Sequence, residues 1–269
     1  MNKDHSYEFT IAVTFYKNLS ELDVILNTIK NFIGNSNFKI EVILINDSAD
    51  KSNLIVEDIP PYNLKIYNLQ KNKGVTGARN YAYTKSNAEF ILFLDSDDLL
   101  LPNMLGKVYD FIKNNFANVY FFRCLDEKNN IVGIIQEKTV ISNTPNLFYG
   151  TGERLICLRK NKHKPFINFL RGNENTGLLY YTIKSKKLIF CWADFPVRLY
   201  LQNFNGLSSK INTFNRSFLI TIGHFLSAIF SFYLRDFKWS FRFLLSFIFR
   251  FFITIISSIK YLINIIWKS

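Results

Sequence analysis

Apolar and polar positions along this chain alternate between two periods. Residues 9–15 (FTIAVTF), 40–45 (IEVILI) and 89–94 (EFILFL) are short apolar runs, the pattern of strands buried on both faces. Residues 64–67 add a shorter one. Between the first two runs, Leu22, Ile25, Leu26, Ile29, Phe32 and Ile33 recur at helical spacing, with Ser20 as the expected N-cap and Gly34 as the stop. Gly74 and Gly77 flank a turn into a helix from about 78 to 85, and Pro102 opens a helix running to about 115. This β-α-β alternation predicts an α/β fold: a mainly parallel sheet with helices on both faces.

The second half is less regular. Residues 116–125 and 131–135 read as strands around a polar turn. Residues 142–175 read as loop and then helix, 178–187 as a helix, 197–200 as a last short strand and 206–213 as a polar linker. Beyond it the pattern changes to an apolar, basic helical tail. Residues 217–234 carry no formal charge, and residues 244–267 are apolar except for Arg250 and Lys260. On an uninterrupted helix counted from Arg235, the residues Lys238, Arg242, Arg250, Lys260 and Lys268 share about a third of the circumference. That arc predicts a helix lying in a membrane interface; one or two spanning helices are the alternative, and for 217–234 the pattern does not choose. The expected organisation is a domain at 1–212, with halves at 1–115 and 116–212, followed by membrane-associated helices at 213–269.

Charge sharpens this picture. The net charge is +12, and the stretch from Arg216 onward holds seven basic residues against Asp236 alone, half of that excess. A basic, Phe-rich, apolar tail suits an anionic membrane surface and argues against a nucleic-acid partner, which calls for denser basic clusters in a polar context. Cys124, Cys157 and Cys191 show no C-x-x-C spacing and are expected to be reduced and buried, in a cytosolic setting. The first seven residues are polar and lack the apolar stretch of a signal peptide.

The chemistry lies at the predicted strand ends. Asp95, Asp97 and Asp98 follow the apolar run 89–94, and carboxylates there call for a positive partner. Mg²⁺ or Mn²⁺ fits, because both favour oxygen ligands and combine one or two carboxylates with phosphate oxygens. Thr14-Phe15-Tyr16, Asn46-Asp47-Ser48 and the segment 72–80 (NKGVTGARN) end or follow the other strands. In a parallel sheet these ends share one edge and line one crevice. Tyr16 offers a ring face to a nucleobase, and Asp47 an acceptor for an imide N–H or a ribose hydroxyl. Gly74 permits close backbone approach, and Lys73 and Arg79 neutralise phosphate. No pair of histidines has metal-ligand spacing, and neither G-x-S-x-G nor a P-loop is present, which argues against a histidine-based hydrolase.

Taken together, the T-x-Y element, the Asp-containing turn, N-x-G-x-x-x-A-R-N and D-x-D-D over residues 8–105 resemble the inverting, GT-A-fold glycosyltransferases of family 2. The turn departs from the family pattern, with Asn46-Asp47-Ser48 where two Asp are common, and Lys17 replaces a common Asn. The resemblance implies a GT-A (Rossmann-like) fold and a nucleoside-diphosphate sugar donor, a UDP-sugar first among them. It also implies Mg²⁺ or Mn²⁺ at Asp97 with Asp95 or Asp98 assisting. Donor binding is implied for Thr14, Tyr16, Asp47, Lys73, Gly74, Arg79, Asp95 and Asp97. An inverting transfer needs a general base; Glu174, just ahead of the predicted 178–187 helix, matches the family's acidic element best, with Asp194 and Glu153 as competitors and a plain helix-N-terminal acid as the bland reading. The implied acceptor is a lipid-linked or membrane-proximal glycan at the cytoplasmic face of the membrane. A nucleotidyltransferase and a non-catalytic scaffold are the rival readings; the first usually has a Gly-rich loop after the first strand, and residues 14–19 hold no glycine.

Overall fold

The computed structural model describes residues 5–16, 21–48, 62–133, 138–143, 152–170, 173–186, 188–201 and 214–266. The first half runs β1 (Tyr7–Phe15), α1 (Leu22–Ile33), β2 (Ile40–Asn46), β3 (Asn63–Asn68), α2 (Gly74–Lys85), β4 (Ala88–Asp95), β5 (Leu99–Leu100) and α3 (Leu105–Asn114). The second half runs β6 (Val119–Leu125), β7 (Ile131–Val132), β8 (Val140–Ser142), β9 (Leu155–Arg159), α4 (Glu174–Ser185) and β10 (Phe190–Leu199). The tail forms α5 (Phe214–Tyr233) and α6 (Phe237–Ile266).

Among the described residues the strands form one sheet in the order β3-β2-β1-β4-β9-β6-β10-β5, with β7 on β6 and β8 on β10. β1 pairs parallel with β2 and β4, β2 with β3, and β6 with β10. β9 is antiparallel to both β4 and β6, so the six main strands all point one way. Phe15 therefore stands opposite Asn46, and Thr14 opposite Asp95, at a common edge. One face is packed by Ile25, Ile29 and Phe32 of α1 with Val108 and Ile112 of α3. The other is packed by Ala78, Ala82 and Tyr83 of α2 with Leu178 and Tyr181 of α4. Each fully buried aliphatic or aromatic side chain contributes roughly 1.5–3 kcal/mol, so both layers hold the strand ends in register.

Several expectations are corrected. Ser20 and the proposed linker at 206–213 lie outside the described residues, and α1 starts beyond Glu21 without a side-chain cap. α3 begins at Leu105 because Asn103 is left-handed, with φ 56°, and cannot carry a helix forward from Pro102. β9 forms within the stretch read as loop and helix. β10 is ten residues long, with irregular register between Trp192 and Arg198. α4 starts at Glu174, four residues earlier than the 178–187 reading.

The tail is a helical hairpin. Arg235 is left-handed, φ 60°, and the Trp239 N–H donates to the Asp236 carboxylate at 3.3 Å to start α6, so the uninterrupted helix expected from Arg235 is broken there. Lys238, Arg242 and Arg250 still fall on the single helix α6. α5 lies along α4: the Thr176 hydroxyl meets Ser227 Oγ at 2.8 Å, Asn173 Nδ2 donates to the Leu219 carbonyl at 3.4 Å, and the Tyr180 and Phe230 rings stand 5.7 Å apart. α6 folds back on α5 through Phe225–Phe247 and through the hydroxyls of Ser217, Thr221 and Thr254. Its opposite side leaves Phe237, Phe241, Leu245, Ile248, Phe249 and Phe252 exposed.

Candidate active site

The shared strand edge gathers the predicted residues. Tyr16 directly follows β1 with its side chain 41 % exposed, and Thr14 is half-buried near the strand's end. Asp47 is only 3 % exposed. Its carboxylate accepts from the Lys73 N–H at 2.6 Å and from Asn72 Nδ2 at 3.2 Å, and Asn72 also donates to the Asp47 carbonyl at 2.9 Å. Asp47 thus pins the start of α2. Gly74 has φ 67°, a left-handed turn that suits glycine, and a Cβ at Gly77 would stand 2.7 Å from Lys73 Cβ. Lys73 is exposed, with Nζ 4.9 Å from the Tyr81 ring centre.

Arg79 sits at the same edge, between two carboxylates. Its guanidinium is buried: Nη2 donates to Asp95 Oδ1 at 2.6 Å, and Nη1 lies 3.6 Å from Glu174 Oε1. Burial works against its charge, but Asp95 and Glu174 outweigh that and raise its pKa. Burial likewise opposes ionisation of Asp95, and Arg79 and Arg198 overcome it, holding Asp95 below the usual carboxylate range. Arg79 therefore couples the end of β4 to the first turn of α4. The Phe166–Asn168 loop is tied to α2 by Asn80, which donates to the Phe166 carbonyl and to Asn168 Oδ1, both at 2.7 Å.

Arg198 on β10 is the functional candidate that sequence reading missed. It donates to Asp98 Oδ2 at 2.7 Å and to Glu153 Oε2 at 2.9 Å. Burial pushes the Asp98 carboxyl up to about 7, with Asp95, Asp97 and Glu153 adding to the push and Arg198 opposing it. Its only sequence signal is a charge inside an apolar run, Val197-Arg198-Leu199.

No cluster of three or more His, Cys, Asp or Glu side chains able to hold a metal occurs among the described residues. Asp95 is paired with Arg79 and Asp98 with Arg198. Asp97 has no ion pair among the described residues, and burial and Asp95 raise its pKa. Asp194 stands exposed on β10, while Glu153 is drawn to the acidic cluster through Arg198.

A family model described as "Glycosyl transferase family 2" matches residues 10–178, a span that runs from β1 into α4. The chain belongs to that family. Among its relatives, a GalNAc(5)-diNAcBac-PP-undecaprenol beta-1,3-glucosyltransferase of Campylobacter jejuni is 26 % identical over 71 % of this chain and 66 % of its own. The minor teichoic acid biosynthesis protein GgaB of Bacillus subtilis is 31 % identical over 60 % of this chain and 17 % of its own. WfgD of Escherichia coli, a UDP-Glc:alpha-D-GlcNAc-diphosphoundecaprenol beta-1,3-glucosyltransferase, is 34 % identical over 45 % of this chain and 48 % of its own. The matches thus span from under a fifth to two thirds of these relatives' lengths. The crystal structure of Staphylococcus aureus TarS 1-349 in complex with UDP-GlcNAc shares the fold, with a TM-score of 0.61 at 18 % identity over 85 % of this chain and 72 % of that one. As a family 2 member, the chain carries its motifs on the strand edge described above.

Proposed function

We propose that this protein is an inverting glycosyltransferase that moves one sugar from a UDP-sugar to a lipid-linked or membrane-proximal glycan. The observation that carries this reading is the Arg79 bridge. It draws Asp95, at the end of a donor-half strand, and Glu174, at the head of the acceptor-half helix α4, to one guanidinium. The TarS structure containing UDP-GlcNAc and the two relatives named for undecaprenol-linked acceptors support the ligand classes.

In the proposed reaction the acceptor hydroxyl oxygen bonds to the anomeric carbon as the bond from that carbon to the diphosphate breaks. Attack and departure occupy opposite faces, so the configuration inverts. Glu174 takes the proton of the attacking hydroxyl, oriented by Arg79. Tyr16 lies against the uracil, and Asp47 shapes the Asn72–Lys73 turn beside the nucleotide. Asp97, an oxygen donor with no ion pair among the described residues, fits Mg²⁺ or Mn²⁺, and Asp95 and Asp98 stand next to it. A bound cation supplies charge compensation for the leaving diphosphate.

The basic arc and exposed aromatic side of α6 support residence at the cytoplasmic membrane face. One segment, Phe237–Ile256, is long and apolar enough to cross a bilayer. The packing of α5 along α4 and of α6 along α5 favours a hairpin lying in the interface over a span. The test is a panel of UDP- and other nucleotide-sugars with Mn²⁺, read by nucleotide release in the presence of lipid-linked glycans. Donor-specific release is expected; no release and no nucleotide binding across the panel overturns the reading.

A further inference from the structure

A cavity of about 150 Å³ lies between the head of α4 and the hairpin. Asn173, Glu174 and Thr176 line it from the catalytic unit, and Gly223, His224, Ser227 and Phe243 from the tail. We infer that this cavity binds a pyranose ring of the acceptor glycan, so that the tail hairpin builds part of the active site as well as anchoring it. The inference rests on the glycosyltransferase reading above and names the acceptor-side site within it.

Three observations carry it. First, the lining chemistry is that of a sugar site: a carboxylate, the amides of Asn173 and Asn175, two hydroxyls and an imidazole for the ring's hydroxyl groups, and the Phe243 ring as an apolar wall for its C–H face. Burial and the nearby Arg250 charge lower the His224 pKa, which favours the neutral imidazole, able both to donate and to accept. Second, the same Glu174 that meets Arg79 on the donor side lines this cavity, so a sugar held here presents a hydroxyl to the proposed base. Third, the hairpin is fitted closely at this point. A Cβ at Gly223 would stand 2.3 Å from Asn173 Oδ1, and the Thr176 hydroxyl joins both Ser227 Oγ and the Gly223 carbonyl. A mere membrane anchor has no need of polar contacts at the catalytic helix; a shared binding wall does.

The test is saturation-transfer NMR on the full-length chain in a detergent that contains no sugar, with UDP and the methyl glycosides of N-acetylglucosamine and glucose as probes. Wild type is expected to transfer saturation to both UDP and a saccharide. His224→Ala should cut the saccharide signal by about tenfold, the scale of one lost hydrogen bond, and leave that of UDP. His224→Asn, which keeps a polar tip, should restore part of it. A saccharide signal that is absent from wild type or unchanged in His224→Ala overturns the inference. Equal loss of the UDP and saccharide signals in His224→Ala shows a structural role and overturns it too. Failure of the underlying glycosyltransferase reading looks different, because wild type then gives no UDP signal at all.

Discussion

Arg198 and Asp98 meet at 2.7 Å inside the protein, with both side chains almost wholly shielded from water. The pair gives Asp98 a partner different from that of Asp95, three residues earlier in the chain. Asp98 is held by Arg198 and Asp95 by Arg79, whereas Asp97 has no ion pair among the described residues. Asp97→Asn is therefore expected to abolish transfer with the melting temperature unchanged, because it removes an oxygen ligand and no core volume. Asp98→Asn leaves Arg198 with the Glu153 carboxylate and the Cys124 sulfur and should cost about 1–3 kcal/mol of stability. Urea denaturation and turnover measured on both variants separate the two roles; loss of stability in both would refute the division.

Removing the divalent cation extends the same argument. Transfer is expected to vanish in EDTA and return with Mn²⁺ or Mg²⁺, while the far-UV circular dichroism stays constant. Full turnover in EDTA would assign the acidic edge to a purely structural task.

Glu174→Gln is expected to lower kcat by about 10²–10⁴-fold, the usual share of general-base catalysis. UDP affinity should hold, since Arg79 keeps its 2.6 Å contact with Asp95. Near-normal kcat in this variant together with a dead Asp194→Asn or Glu153→Gln would move the base to that residue.

Glu41 gives a pH prediction. Its carboxylate is 0 % exposed, 2.6 Å from Lys65 Nζ and 2.6 Å from Thr10 Oγ1. Burial raises its pKa, but Lys65, Thr10 and the Asn87 N–H outweigh that and leave it below 4.5. With the folded value depressed, its stabilisation is fully present above the unfolded pKa and is lost as pH falls through the folded one. Glu41→Gln should cost about 3 kcal/mol at pH 7, and the gap from wild type should close in the acid range below 4.5. Urea midpoints against pH measure it; a gap that is flat down to pH ~3 would contradict the ion-pair account.

Fractionation tests the hairpin. Release from membranes by high salt or alkaline carbonate is expected for a hairpin lying in the interface. Extraction by detergent alone would assign α6 to a span. Truncation after Ser209 should also destabilise the catalytic unit, because Leu179 of α4 is buried against Ala228 and Phe243.

What could be read in advance follows physical lines. β1, β2 and β4 were legible because strands buried on both faces must be continuously apolar, and the shared edge followed from their parallel pairing. β9 was not, because Leu155-Ile156-Cys157-Leu158 is short and lies among loop residues, and only its pairing with β4 and β6 makes it a strand. Arg79 was legible as a motif residue but not as a bridge. Glu174 lies far away in sequence, and nothing local says that α4 begins beside Asp95. Arg198 escaped for the opposite reason: its partners Asp98 and Glu153 meet it only through the tertiary fold.

β9 also governs the order in which the molecule can assemble. It fills the space between β4 and β6 from a point well downstream in the chain, so a nascent donor half emerging from the ribosome carries β4 with a bare, apolar edge. Such an edge is a template for mispairing until residues 155–159 arrive. Long-range closure of this kind slows folding. Expressed alone, the segment 1–115 would aggregate, whereas co-expression with the remaining fragment would allow β9 to seal it.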